Sequence, residues 1–311
     1  MRSRQLSDVT RANDVVQIDR VPGVDTIVGE SPVWDPRTHS LWFIDRPDSR
    51  IYRLSAEDTL ESWPAPEHPA AVAMMTDGRV AVTLLTGFRV LDPATGEWGP
   101  HTTGGVSLAE RISEGKVDRA GRVLAASGDR GFTDPIGHLL RLEADGSTTM
   151  LRGGIHMANG LCVSVDGSTL YVADSLTRVL YAHDYREDGL SNERVIFSTA
   201  GEVCFPDGAT VDADDCIWVA LLHSPYIVRL APDGRVLHRL EMPTPNITSL
   251  AFGGPDLDVL YVTSVHPERF PAAPPGAPEF PGAEGGHLYR VMGLGVRGVA
   301  ETPVAPWATA G

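Results

Sequence analysis

Hydrophobic positions along this chain come in short alternating runs, broken by turns built from Asp, Gly, Asn and Pro. In "PVWDPRTHSLWFIDRPDSRIYRL", from Pro32, a strand-like run around Val33 and Trp34 meets an Asp-rich turn. A second run, Leu41 to Ile44, follows, then a short turn and a third run. Apolar and β-branched residues in runs of roughly four to eight, bounded by turn residues, predict half-buried strands joined as hairpins. No segment carries the spacing of an amphipathic helix.

The unit recurs. It returns as "AVAMMTDGRVAVTLLTGFRVLD" from Ala71, "KVDRAGRVLAASGDRG" from Lys116 and "LCVSVDGSTLYVADSLTRVLYAHDY" from Leu161. Two more copies are "ATVDADDCIWVALLHSPYIVRLAPDG" from Ala209 and "LAFGGPDLDVLYVTSV" from Leu250. Aligned on the hydrophobic residue before each turn, the anchors are Trp34, Met75, Val117, Val163, Val211 and Phe252. Their separations of about 41 to about 48 residues match the period of a four-stranded propeller blade. The prediction is an all-β, six-bladed β-propeller spanning residues 1–311 as one domain. The segment "NDVVQIDRV" has strand character but no blade of its own, so it is expected to complete the last blade and close the ring. Residues 1–12 are expected to be flexible. The Pro/Gly-rich stretch 265–286 interrupts the last blade and reads as a long loop, either a plain insertion or a lid over one mouth of the tunnel.

Composition narrows the partners. A hydrophobic content of 42% with 22% charged residues is that of a globular protein, and no apolar run reaches membrane-spanning length. The net charge of −15 argues against nucleic acid and against an anionic membrane surface, which would both repel it. A small-molecule substrate is the remaining expectation, and oligomeric state is left open. The three cysteines, Cys162, Cys204 and Cys216, form no CxxC pair, and the N-terminus lacks the apolar core of a secretory signal, so a cytoplasmic location is expected.

Register then selects chemistry. Four residues before the anchors stand Glu30, Ala71, Ser113, Asn159, Asp207 and Thr248. Rotation about a propeller axis brings equivalent positions into a ring, so Glu30, Asn159 and Asp207 are expected to converge. Read singly, Asn-Gly and Asp-Gly are ordinary turn pairs. Read together, two carboxylates and a carboxamide are an all-oxygen set that suits one divalent cation, calcium, zinc, magnesium or manganese.

The same residues carry a resemblance. "GESPVWDPRTHSLWFID", "EGKVDRAGR", "NGLCVSVDGSTLYVADS", "FPDGATVDADDCIWVA" and "GGHLYRVMGLGVRG" resemble the senescence marker protein (regucalcin), gluconolactonase and luciferin-regenerating enzyme family, in order, over nearly the whole chain. The resemblance implies a six-bladed propeller with one divalent metal in its tunnel, and in many members hydrolysis of sugar lactones. It places the family's metal ligands on Glu30, Asn159 and Asp207. The family's Arg-x-Asn-Asp-Gly segment appears here as "RISEGKVD", in which Arg111 matches but Ser113 and Glu114 replace Asn and Asp. "AASGDRGF" also lacks the usual Gly-Thr-Met run. An intact metal set beside a remodelled substrate side is therefore expected.

The expected reaction is lactone opening by metal-activated water. Asp207 is the first candidate base and Glu114 the second. Arg111, Ser113 and His156 are the candidate substrate contacts. For Arg111 the structural alternative is an ion pair with Glu110 or Asp118; for Asp129 and Arg130 it is a surface salt bridge with each other. Hydrolysis of another ester or a phosphotriester, or a propeller that binds without turnover, are the competing functions.

Overall fold

A computed structural model of the chain describes residues 16–269 and 284–308. Six four-stranded antiparallel sheets, with no helix among the described residues, form the six-bladed β-propeller that the repeat predicts. No described helix is therefore long and apolar enough to cross a membrane. The innermost strands of blades one to six are Gly29–Asp35, Pro69–Met74, Glu110–Val117, Ala158–Val163, Phe205–Val211 and Ile247–Gly253.

Burial follows position within a blade. The second strand of blade one, Ser40–Asp45, is buried throughout, whereas the outer strand Leu60–Pro64 is mostly exposed. Inner strands lie between two neighbouring blades and so are apolar on both faces. Six hydrophobic clusters fill the spaces between successive blades. Trp42 and Ile51 pack against Val82 and Leu84 between blades one and two, and Ile217 and Val219 against Tyr171 and Ala173 between blades four and five. The ring closes where Trp34 of blade one stacks on Tyr261 of blade six, with centroids 5.8 Å apart. Gln17–Arg20 pairs antiparallel with Tyr289–Met292 as the outer strand of blade six, as the N-terminal pattern predicts.

The far end of the tunnel, on the side of the Asp-rich turns, is crossed by the C-terminal segment. Val304 bridges Met75, the Ala308 amide donates to Ala144 O (2.9 Å), and Glu301 pairs with the half-buried Lys116. The expected flexibility of 1–12 and the central part of the 265–286 loop, including its reading as a lid, lie outside the described residues.

Candidate functional site

Every innermost strand carries a register shift near its entry, between Glu30 and Val33 in blade one, Asn159 and Cys162 in blade four, and Pro206 and Ala209 in blade five. The other three blades break at Pro69/Ala71, Ile112/Glu114 and Ile247/Leu250. Such bulges bend a strand and re-aim a side chain. Here Glu30, Asn159, Asp207 and Thr248, at or beside these breaks, reach the central cavity. The residue after Glu30 and the residue after Asn159 are both left-handed, Ser31 at φ 48° and Gly160 at φ 58°. Gly208 is required for a different reason. A Cβ there would lie 2.3 Å from Ser249 Oγ, so blades five and six touch through the missing side chain.

Two aspartates hold the strand entries. Asp45 accepts from the amides of Ile27 (2.7 Å) and Val28 (3.1 Å), and Asp174 accepts from those of His156 (3.1 Å) and Met157 (3.2 Å). Each staples the loop that leads into Glu30 or Asn159. The Asn159 amide is oriented by a chain of bonds. The Pro206 carbonyl can only accept, so Ser175 Oγ donates to it (2.6 Å) and must accept from Asn159 Nδ2 (2.9 Å). That fixes the amide nitrogen on Ser175 and frees Oδ1.

Glu30, Asn159 and Asp207 all line one cavity of about 640 Å³ at the mouth opposite the C-terminal segment. Glu114 does not line it. It borders a smaller space of about 80 Å³ with Lys116 and Glu301, yet it feels the charge of Glu30 and its own charge is felt by Asp207. Burial, opposed by the Arg46 guanidinium and the Ser31 amide, lifts the Glu30 carboxyl to about 7. Burial, then repulsion from Glu30, lifts Glu114 to about 8. Burial, then Glu30 and Glu114, hold Asp207 well above the usual carboxylate range. Each relies on one backbone amide, Ser31 N for Glu30 (3.0 Å), Gly115 N for Glu114 (3.1 Å) and Gly208 N for Asp207. Among the described residues no three His, Cys, Asp or Glu side chains gather as a ligand cluster. What the axis offers is two carboxylates and a freed carboxamide oxygen, with a third carboxylate close by. As it stands the set is electrostatically frustrated, and in donor chemistry and charge it fits a hard divalent cation.

The candidate substrate contacts divide. Arg111 lines the cavity, with its guanidinium 4.3 Å from the Phe132 ring centroid. Neither expected carboxylate pairs with it. Glu110 binds His138 Nδ1 (2.6 Å) and Ser127 Oγ (2.9 Å), and Asp118 binds Arg122 and Tyr185. Ser113 and His156 are not brought to the cavity. The Ser113 hydroxyl lies 2.7 Å from Ala158 O and 3.3 Å from Ala126 O, so its single proton is committed to backbone carbonyls between blades three and four. His156 Nδ1 sits 3.0 Å from Asp174 Oδ2, beside the entry staple. The expected Asp129–Arg130 salt bridge is also absent among the described residues. Asp129 accepts from the amides of Gly131, Thr133 and Asp134, while Arg130 Nε donates to Glu110 O (2.8 Å).

A second ring went unread in the sequence. The residue after the end of each blade's second strand is Arg46, Leu85, Arg130, Ser175, His223 and Val265, and all six line the cavity. Equivalent amide bonds fix five of them, from Arg46 to Val28 O, Leu85 to His68 O, Arg130 to Ala109 O, Ser175 to Met157 O and Val265 to Asn246 O. Applying the register argument to the second strand as well as the first would have found them. Arg46 reaches from blade one across the small side chains of blade two to donate to Ser113 O (3.0 Å) in blade three. It is the one cation felt by all three buried carboxylates.

Comparison with known proteins gives a consistent picture. A family profile described as SMP-30/Gluconolactonase/LRE-like region matches residues 28–266. The chain is 33% identical to a 6-deoxy-6-sulfogluconolactonase of Pseudomonas putida, over 78% of this chain and 85% of that one. It is 32% identical to the pentonolactonase XacC of Haloferax volcanii, over 88% and 94% of the two chains. A solved luciferin-regenerating enzyme superposes with a TM-score of 0.80 at 27% identity, over 94% of this chain and 100% of the other.

Proposed function

The chain belongs to the SMP-30/gluconolactonase/LRE-like family, and from that premise we propose that it is a divalent-metal-dependent hydrolase that opens a lactone ring. The observation that carries the proposal is the meeting of Glu30, Asn159 and Asp207, from three separate blades, in one cavity wall, where burial and the charges of Glu30 and Glu114 hold Asp207 well above the usual carboxylate range. Two relatives bear the names of lactonases, which supports the same reaction.

In this reading Glu30 and Asp207 supply the charge that holds the ion, and Asn159 adds its Oδ1, oriented through Ser175. A bound divalent cation would polarise the lactone carbonyl and lower the pKa of an attacking water. Asp207 would take the proton from the attacking water, since burial and neighbouring carboxylates raise its proton affinity; Glu114, the second candidate base, stands outside the cavity and acts on Asp207 only through its charge. Arg111 binds substrate from the rim. Ser113 has no substrate role here; it ties blade three to blade four. The three free, buried cysteines suit a reducing cytoplasm.

The test is to strip the chain with a chelator, assay a panel of aldonolactones, and restore calcium, zinc, magnesium or manganese singly. Activity should vanish on stripping and return with at least one ion. Hydrolysis that persists after complete metal removal would contradict the metal role. Metal binding with no lactone opened would favour a propeller that binds without turnover.

A further inference from the structure

The two rings distribute charge unequally around the cavity. Blades one and three contribute Arg46, Arg111 and Arg130, and between them blade two adds Leu85 and His68. The opposite wall carries Ser175, Phe205, His223 and Val265, with the exposed Arg269 at its edge. The three guanidiniums are near enough for Arg111 to feel both of the others. Among the described residues none of the three has a carboxylate within ion-pairing distance. Arg46 answers the buried carboxylates at the floor. Arg111 and Arg130 have no such duty. Arg111 lies on Phe132 with its buried Nε free of any hydrogen bond, and Arg130 is exposed at the rim, holding only the Glu110 carbonyl through Nε. Asp129, the acidic group facing Arg111, has its carboxylate taken by the backbone of its own loop and by Thr133.

Unneutralised arginines side by side cost free energy unless something else requires them, and a chain of net charge −15 has carboxylates to spare for pairing. A planar guanidinium with free donors is suited to carboxylate, sulfonate or phosphate oxygens, and to a stacked position on an aromatic ring. A local patch of cations also draws an anion into a cavity that the protein as a whole repels. We propose that this cavity selects lactones bearing an anionic substituent, and that Arg111 and Arg130 hold that substituent while the lactone carbonyl lies over Glu30, Asn159 and Asp207. This rests on the lactonase reading for its reaction but not for its binding site.

The experiment compares an aldonolactone with the same lactone carrying a phosphate, a sulfonate or a carboxylate at its terminal carbon. For the wild-type chain, kcat/KM for the anionic members should exceed that for the neutral one by about tenfold or more at low salt, and the ratio should shrink as salt is added. In Arg130→Gln and Arg111→Gln, each checked for an unchanged melting temperature, the ratio should fall toward one. A wild-type ratio of one or less, or a ratio untouched in a stably folded Arg130→Gln, would overturn the proposal. Calorimetric binding of a sugar alcohol and its terminal phosphate decides the matter even if no lactone is opened. Tighter binding of the phosphate, weakened by Arg130→Gln, upholds the anion site while the lactonase reading falls, and equal binding removes the site.

Discussion

At the scale of single residues, the carboxylates at the tunnel floor oppose the fold that contains them. Glu114 and Asp207 are buried, Glu30 is half-buried beside them, and Arg46 is the cation that answers all three. Removing one of these charges should therefore relieve the metal-free chain and disable the metal-loaded one. Glu30→Gln is expected to raise the melting temperature of chelated protein and to lower lactone turnover by roughly a hundredfold or more. Thermal melts and steady-state rates measured on the same preparations check both halves. Ser175 acts through Asn159, whose amide it orients. Ser175→Ala should weaken cation binding by about 10- to 100-fold in a calorimetric titration while the fold survives, since supporting partners of ligands typically carry that much. Ser175 was not legible beforehand because its role depends on a hydrogen bond to the carbonyl of Pro206 in the next blade.

At the scale of strands, the blades could be read from the sequence because the Asp-rich turn keeps nearly the same length from copy to copy. Counting back from the apolar residue before that turn therefore lands on equivalent places, Glu30, Asn159 and Asp207 among them. The same count lands on Ser113 in blade three, where it misleads. The bulge there inserts Ser113 alone, between Ile112 and Glu114, whereas blades one, four and five each place two residues opposite one. Ser113 turns to backbone carbonyls, and the next residue, Glu114, brings its charge to the axis. A bulge's position is set by packing between strands, which no local pattern reports. Packing also explains the glycine that follows Asp207. It reads as a turn signal, yet it lies within a strand, and it is glycine there because Ser249 of the neighbouring blade leaves no room for a Cβ. Gly208→Ala should destabilise the chain by about 1–3 kcal/mol through overpacking. A denaturant titration would register it as a lower midpoint, and turnover should fall as Asp207 shifts.

For the whole molecule, the frustrated floor makes stability depend on pH and on metal together. Glu30 and Glu114 have an ordinary value of 4.5 and are raised in the folded chain to about 7 and about 8. Between those limits the folded chain keeps protons that the unfolded chain has released, so its stability is greatest at the acid end and falls as pH rises. The melting temperature of chelated protein should therefore drop from about pH 5 to about pH 8, and a divalent cation should raise it more at pH 8 than at pH 5. Propeller geometry makes this a property of the ring, because the opposing charges come from blades one, three and five and meet only when the last blade is closed by Gln17–Arg20. The most direct measurement is anomalous diffraction from a crystal of the stripped chain soaked in manganese. A single peak bounded by the carboxylates of Glu30 and Asp207 and by Asn159 Oδ1 is the predicted result. An empty axis at saturating manganese, or a peak held only by other residues, would contradict it.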